Sequence, residues 1–309
     1  MSSLFDLFIE KNGLVIIDGA MATELEKQGA DLNHELWSAK LLTENPDLIK
    51  RVHLDYLKAG ADIITTASYQ ASFTGFEKQG YSKEKAIDLM ILATSLAMEA
   101  REEALKNNWI GHPLPLIAAS VGPYGASLAD GSEYRGHYGL TVEELMDFHR
   151  ERMKVLIESG ADLLACETIP SLEEAKALIG LLKEFPDTRA WVSFSCKSET
   201  EISDGSSFAE AVALANQSEQ VLAVGVNCTP PQMVESLIKI ARSVSNKRLL
   251  AYPNRGGAWD ATQKCWLPGA AQKDFIGMAL RWREAGATLI GGCCQTSPSD
   301  IAEMKNALN

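Results

Sequence analysis

Three near-copies of one phrase constrain this chain more than any other feature: Lys58-Ala59-Gly60-Ala61-Asp62-Ile63-Ile64, Glu158-Ser159-Gly160-Ala161-Asp162-Leu163-Leu164 and Glu284-Ala285-Gly286-Ala287-Thr288-Leu289-Ile290. Each reads as the end of a helix, a glycine cap and the start of an apolar strand. Around them lie short apolar runs suited to strands buried on both faces, at 14–18, 62–67, 115–121, 162–166, 190–196, 221–227, 248–253 and 287–291. Helix start signals fall between these runs: Asn45-Pro46, Ser82, Thr141 with Glu144, Ser171 with Glu174, Pro230-Pro231 and Ser297-Pro298. Thr141/Glu144 and Ser171/Glu174 have the spacing of a capping box, and proline suits the first turn of a helix. Strand and helix therefore alternate through eight units.

An open, doubly wound sheet fits the same alternation, but it usually stops at about five to seven strands and opens on a glycine-rich dinucleotide turn. Asp18-Gly19-Ala20-Met21-Ala22 is not such a turn. The expected fold is α/β, a (β/α)8 TIM barrel occupying residues 1–309 as a single domain.

Charge excludes several classes of partner. The chain has 29 basic and 41 acidic residues, a net charge of −12, which repels phosphate backbones and anionic lipid alike. No nucleic-acid or membrane partner is expected. Asp6 and Glu10 stand where a signal peptide needs a cationic start and an apolar run, so a cytoplasmic protein is expected. Six cysteines are too sparse for a disulfide framework and should stay reduced there, which makes them candidate metal ligands or nucleophiles.

Two connections are built for more than connection. Residues 123–140, after the third strand, carry four glycines and three tyrosines. A second polar, aromatic stretch, 254–260, follows the seventh strand. Both emerge at the strand C-terminal end, where barrel enzymes keep their sites.

Three cysteines reach that same rim: Cys228 after the sixth strand, and Cys293 with Cys294 after the eighth. Three protein ligands and an open position are the arrangement of a catalytic zinc site. Adjacent residues of a strand point to opposite faces, so the pair can share a metal only if the backbone turns, which Gly291-Gly292 permits. The competing readings are plain packing, or a vicinal disulfide serving as a thiol redox sensor on Cys293-Cys294. Cys166, Cys196 and Cys265 read as small buried hydrophobes. Asp18 and Glu167, after the first and fourth strands, are placed to hold a substrate ammonium group or to cap helices and pair with bases. Asn227 can meet a substrate carboxylate or its own loop. Trp37, Tyr69, Tyr124, Tyr134, Tyr138 and Trp259 can wall a cation or fill core.

Asp18-Gly19, Glu167-Thr168, Val226-Asn227-Cys228 and Gly291-Gly292-Cys293-Cys294 together resemble the homocysteine S-methyltransferases, which are (β/α)8 barrels. The loop from Gly122 through Gly136 resembles the branch that uses S-methylmethionine or S-adenosylmethionine. The resemblance spans essentially the whole chain. It implies zinc on Cys228, Cys293 and Cys294, the homocysteine amino group on Asp18 and Glu167, and Asn227 near its carboxylate. Homocysteine and S-methylmethionine would then be the substrates, with Trp37, Tyr69, Tyr134, Tyr138 and Trp259 toward the donor. Betaine-dependent relatives share the cysteines but carry a longer C-terminal arm for oligomerisation. This chain stops about a helix after the cysteine pair, so betaine is disfavoured and a monomer or loose dimer is expected.

Overall fold

The eight apolar runs become eight short parallel strands: β1 Val15–Ile16, β2 Ile63–Thr65, β3 Leu116–Val121, β4 Leu163–Ile169, β5 Ala190–Phe194, β6 Val221–Asn227, β7 Arg248–Tyr252 and β8 Ala287–Ile290. Each pairs with its neighbours in chain order, and β8 returns to β1. A parallel bridge between Ile17 and Ile63 joins β1 to β2 and closes the ring, so the expected TIM barrel forms. The computed structural model describes residues 4–32, 36–256, 259–260, 265–266 and 272–308, and only the backbone of 37, 259–260 and 265–266. None of its helices is long and apolar enough to cross a membrane.

The repeated phrase has a physical explanation. Gly60, Gly160 and Gly286 take φ of +95°, +89° and +120°, a region that costs a side chain strain. Asp62 and Asp162, two residues later, each accept an amide of the preceding strand at 2.8 Å, from Ile16 and Ile117 respectively. Lys305 and Arg101 pair with these carboxylates at the surface. The phrase thus ends a helix in all three copies and, in the two that carry the aspartate, stitches one strand to the next at the lower rim; Thr288 of the third makes no such bond.

Two cores result. Alternate strand residues face outward into the helix layer, while Val15, Ile17, Ile63, Ala165, Trp191, Leu250 and Leu289 pack inside the ring. Phe5 and Phe8, on or beside an unanticipated helix at Asp6–Asn12, join that inner cluster. Asp6 reaches Arg248 at the start of β7, so this helix plugs the N-terminal end of the barrel and leaves the other end for a site.

The capping signals hold with two differences. Asn45, Ser82, Thr141 and Ser171 each accept the expected amide, and Thr141 with Glu144 makes both halves of the capping box. Ser171 makes one half only, because Glu174 turns away to accept from His149 and from the Tyr124 amide. Pro230-Pro231 opens a 3-10 turn, Pro231–Met233, ahead of the helix Val234–Val244.

Candidate active site and metal centre

The ends of β6 and β8 bring Cys228, Cys293 and Cys294 together, with their sulfurs all within 4.8 Å of one another. Two devices accomplish this. Cys228 leaves β6 in the left-handed region, φ +45°, a strained conformation for a non-glycine residue. After β8 the chain folds into a turn in which the Thr296 amide and hydroxyl both donate to the Cys293 carbonyl, so consecutive cysteines face one side. Gly291 and Gly292 serve this turn differently from the expectation: neither has positive φ. They are needed for closeness, since a Cβ at Gly291 would lie 2.7 Å from Ile17 and one at Gly292 within 2.4 Å of Thr296.

The expectation that these thiols stay reduced is corrected here. Cys228 and Cys293 are joined as a disulfide with Cα atoms 5.5 Å apart, and Cys294 is free. The pairing links β6 to β8 rather than the vicinal cysteines. Three sulfurs around one zinc lie about 3.8 Å apart for Zn–S bonds near 2.3 Å, so the reduced cluster has the spacing and donor chemistry of a thiolate metal site. Burial pushes the Cys294 thiol up to about 12, with Glu133 and Glu167 adding to the rise, so without a cation it stays protonated at neutral pH.

Asp18 and Glu167 stand on the same cavity wall, and neither caps a helix. The adjoining helices begin at Ala20 and Ser171, and no side chain of either acid serves them. Asp18 accepts the Thr65 amide at 2.8 Å and the Thr65 hydroxyl at 3.1 Å. Glu167 accepts the Ser120 hydroxyl and, at 3.1 Å, the Tyr252 hydroxyl. Burial raises both carboxyl pKa values against these hydrogen bonds. Asn227 is largely committed to its own rim: it accepts the Thr168 amide at 2.7 Å and donates to the Thr168 hydroxyl at 2.8 Å, holding Thr168 at φ +61° beside Glu167.

These residues line a cavity of about 450 Å3 with Tyr69, Tyr134 and the three cysteines. Tyr138 lies outside the lining, its ring 5.1 Å from Tyr124 and its hydroxyl backing Gly125. The side chains of Trp37, Trp259 and Cys265 lie outside the described residues, as do Gly257 and Ala258 of the second aromatic loop. Cys166 and Cys196 are buried, as small hydrophobes should be. The long loop after β3 is a fixed wall: Arg152 donates to the Gly122 carbonyl, Gln70 to that of Ala126 and Ser195 to that of Glu133.

Sequence reasoning missed the electrostatics of this cavity. Its charged lining residues are Asp18, Glu26, Asp31, Asp130, Glu133 and Glu167, with no Lys, Arg or His among the described residues. Burial lifts Glu133 to about 7. The signal was available in part, since Asp130 and Glu133 sit in the tyrosine-rich loop, but only folding shows that the nearby Arg135 pairs with Asp130 at 3.6 Å and stays outside the lining.

A family model described as homocysteine S-methyltransferase matches residues 15–308. The homocysteine S-methyltransferase YbgG of Bacillus subtilis is 52% identical over 94% of this chain and 93% of its own. Among solved structures, the homocysteine methyltransferase MmuM of Escherichia coli in its oxidized form superposes with a TM-score of 0.89, 42% identity and 99% coverage of both chains. Its metallated form gives 0.88 and 43% identity over 97% of this chain and 98% of that one.

Proposed function

The chain belongs to the homocysteine S-methyltransferase family and is an enzyme of that class, and on that footing we propose that it transfers a methyl group from a sulfonium donor, S-methylmethionine or S-adenosylmethionine, to homocysteine held on zinc. The observation that carries the donor class is the lining itself: three convergent sulfurs in a cavity whose charged groups are all acids. Such a field attracts cations and opposes anionic methyl carriers.

Cys228, Cys293 and Cys294 in reduced form would hold the metal, and zinc bound there would supply Lewis acidity that makes the homocysteine thiol a thiolate at neutral pH. Asp18 and Glu167 receive the homocysteine ammonium group, each steadied by two neutral donors that leave further lone pairs facing the cavity. Asn227 keeps Thr168, and with it Glu167, in register. In the transfer the homocysteine sulfur takes the methyl carbon, the carbon–sulfur bond of the sulfonium breaks, and its electron pair stays on the donor sulfur. S-methylmethionine thus leaves as methionine, with no proton needed by the leaving group. What remains for the protein is to align the two sulfurs through the methyl carbon, the task a fixed wall performs.

Reduced, zinc-loaded enzyme given homocysteine and each donor, with methionine measured, tests this. S-methylmethionine should serve better than S-adenosylmethionine, since no glycine-rich nucleotide turn is present for the adenosine. Betaine should serve worst. A protein that works best with betaine, or that turns over fully without metal, overturns the reading.

A further inference from the structure

Glu133 enters the cavity from the short 3-10 turn Ser132–Tyr134. Its Oε2 is sealed from solvent and accepts no hydrogen bond. The other two deep acids differ: Asp18 is satisfied by Thr65 and Glu167 by Ser120 and Tyr252. The Glu133 turn is firmly held. Ser195 Oγ donates to the Glu133 carbonyl at 3.1 Å, the Ser132 amide donates to Asp130 Oδ1 at 2.9 Å, and Gly125 packs so close that a Cβ there would lie 2.5 Å from the Glu133 nitrogen. A carboxylate held in place and desolvated, with its own amide and the more distant Arg135 as its only favourable partners and one oxygen lacking any hydrogen bond, is costly unless a ligand completes it. No basic side chain among the described lining residues can do so.

Resting on the sulfonium reading above, we propose that Glu133 receives the α-ammonium group of the methyl donor and thereby selects amino-acid sulfoniums over cations that lack N–H groups. The chemistry discriminates between possible partners. A primary ammonium offers three hydrogen-bond donors to the unsatisfied oxygen, whereas a sulfonium or quaternary ammonium offers none. Placement matters as well. A carboxylate set against the sulfonium would stabilise charge that the transfer destroys and would slow it, while the ammonium keeps its charge from ground state to transition state. Glu133 therefore acts on donor affinity and leaves the chemical step alone. Asp18 and Glu167 already account for one ammonium, that of homocysteine, so Glu133 provides for a second.

The test compares wild type, Glu133→Gln and Glu133→Asp as reduced, zinc-loaded enzymes. Steady-state constants are measured for homocysteine and S-methylmethionine, S-methylmethionine binding is followed by calorimetry, and dimethylsulfoniopropionate, a sulfonium without an ammonium group, is titrated as a competitor. For Glu133→Gln the KM and Kd for S-methylmethionine should rise about tenfold to a hundredfold, with partial recovery in Glu133→Asp. kcat, the homocysteine KM and the competitor's inhibition constant should stay within about threefold. The Gln variant should melt no lower than wild type, since removing a desolvated charge with an unsatisfied oxygen relieves a cost, and a merely structural role would lower it. Unchanged S-methylmethionine constants, or a rise in the homocysteine KM in their place, overturn the assignment alone. A wild type that uses no sulfonium overturns the donor reading and this assignment together.

Discussion

Tyr252 Oη donates to Glu167 Oε2 at 3.1 Å, and the direction of that proton is set by a third residue. Trp191 Nε1, which can only donate, occupies one lone pair of the tyrosine oxygen at 3.0 Å, and Ser193 Oγ lies 2.6 Å away. The inner core of the barrel thus ends in a hydroxyl that orients a carboxylate of the site. Tyr252→Phe should raise the homocysteine KM about tenfold while zinc content stays normal, the effect of losing one hydrogen bond to a charged group. It should also lower the melting temperature, because Trp191 Nε1 is left without its acceptor. An unchanged KM alongside a lowered melting temperature would reduce Tyr252 to a packing residue.

Asp18→Asn and Glu167→Gln should each weaken homocysteine binding by about 1.5 to 3 kcal/mol with little effect on metal content. Burial raises both carboxyl pKa values, so the charged forms needed for an ammonium disappear at a higher pH than for ordinary carboxylates. On acidification, kcat/KM for homocysteine, which reports the free enzyme, should begin to fall above the usual carboxylate range. Homocysteine kinetics that both variants leave unaltered would remove these acids from the substrate.

Serine in place of Cys228, Cys293 or Cys294 should abolish metal binding and activity together while the barrel stays folded. The ligands sit on the rim and the apolar clusters lie elsewhere, so the metal contributes little to the core. Metal analysis with circular dichroism checks this, and a variant that keeps full activity without metal would contradict it. Treating the oxidised wild type with a reductant should free two further thiols and restore metal uptake, since the Cys228–Cys293 bond occupies two of the three ligands.

His53, on helix Pro46–Lys58, is fully buried with neither ring nitrogen hydrogen-bonded, and burial lowers its pKa to about 3. As pH falls below about 6.5 the unfolded chain takes up a proton that the folded one refuses. The stability this group contributes is therefore complete above pH 6.5 and is lost progressively as pH falls toward 3. His53→Leu should flatten the fall in unfolding free energy between pH 7 and pH 4.5 by up to about 1.4 kcal/mol per pH unit, measured by urea titration. Parallel curves for the two proteins would contradict it.

Much of the architecture was legible because it rests on local chemistry. The helix–glycine–strand phrase, the capping residues Asn45, Ser82 and Thr141, and the doubly buried apolar runs act within a few residues of one another. Once eight such units alternate, neighbours in sequence become neighbours in the ring, so Cys228 and the Cys293-Cys294 pair had to reach one rim. The plug built on Phe5 and Phe8 was not legible, since a seven-residue helix with no side-chain cap leaves little periodic signal.

The atoms that meet at the rim were decided by tertiary structure alone. Asn227 finds Thr168 across 59 residues, Tyr252 finds Glu167 across 85, and Cys228 finds Cys293 across 65. Periodicity places such residues at the same end of a barrel, but which lone pairs are already occupied depends on backbone turns of unusual φ and on the distance of closest approach between strand ends. Glu133 shows the difference: the sequence puts an acid in a tyrosine-rich loop, and only the folded chain, by bringing donors to Asp18 and Glu167 and none to Glu133 Oε2, leaves that carboxylate oxygen without a hydrogen bond.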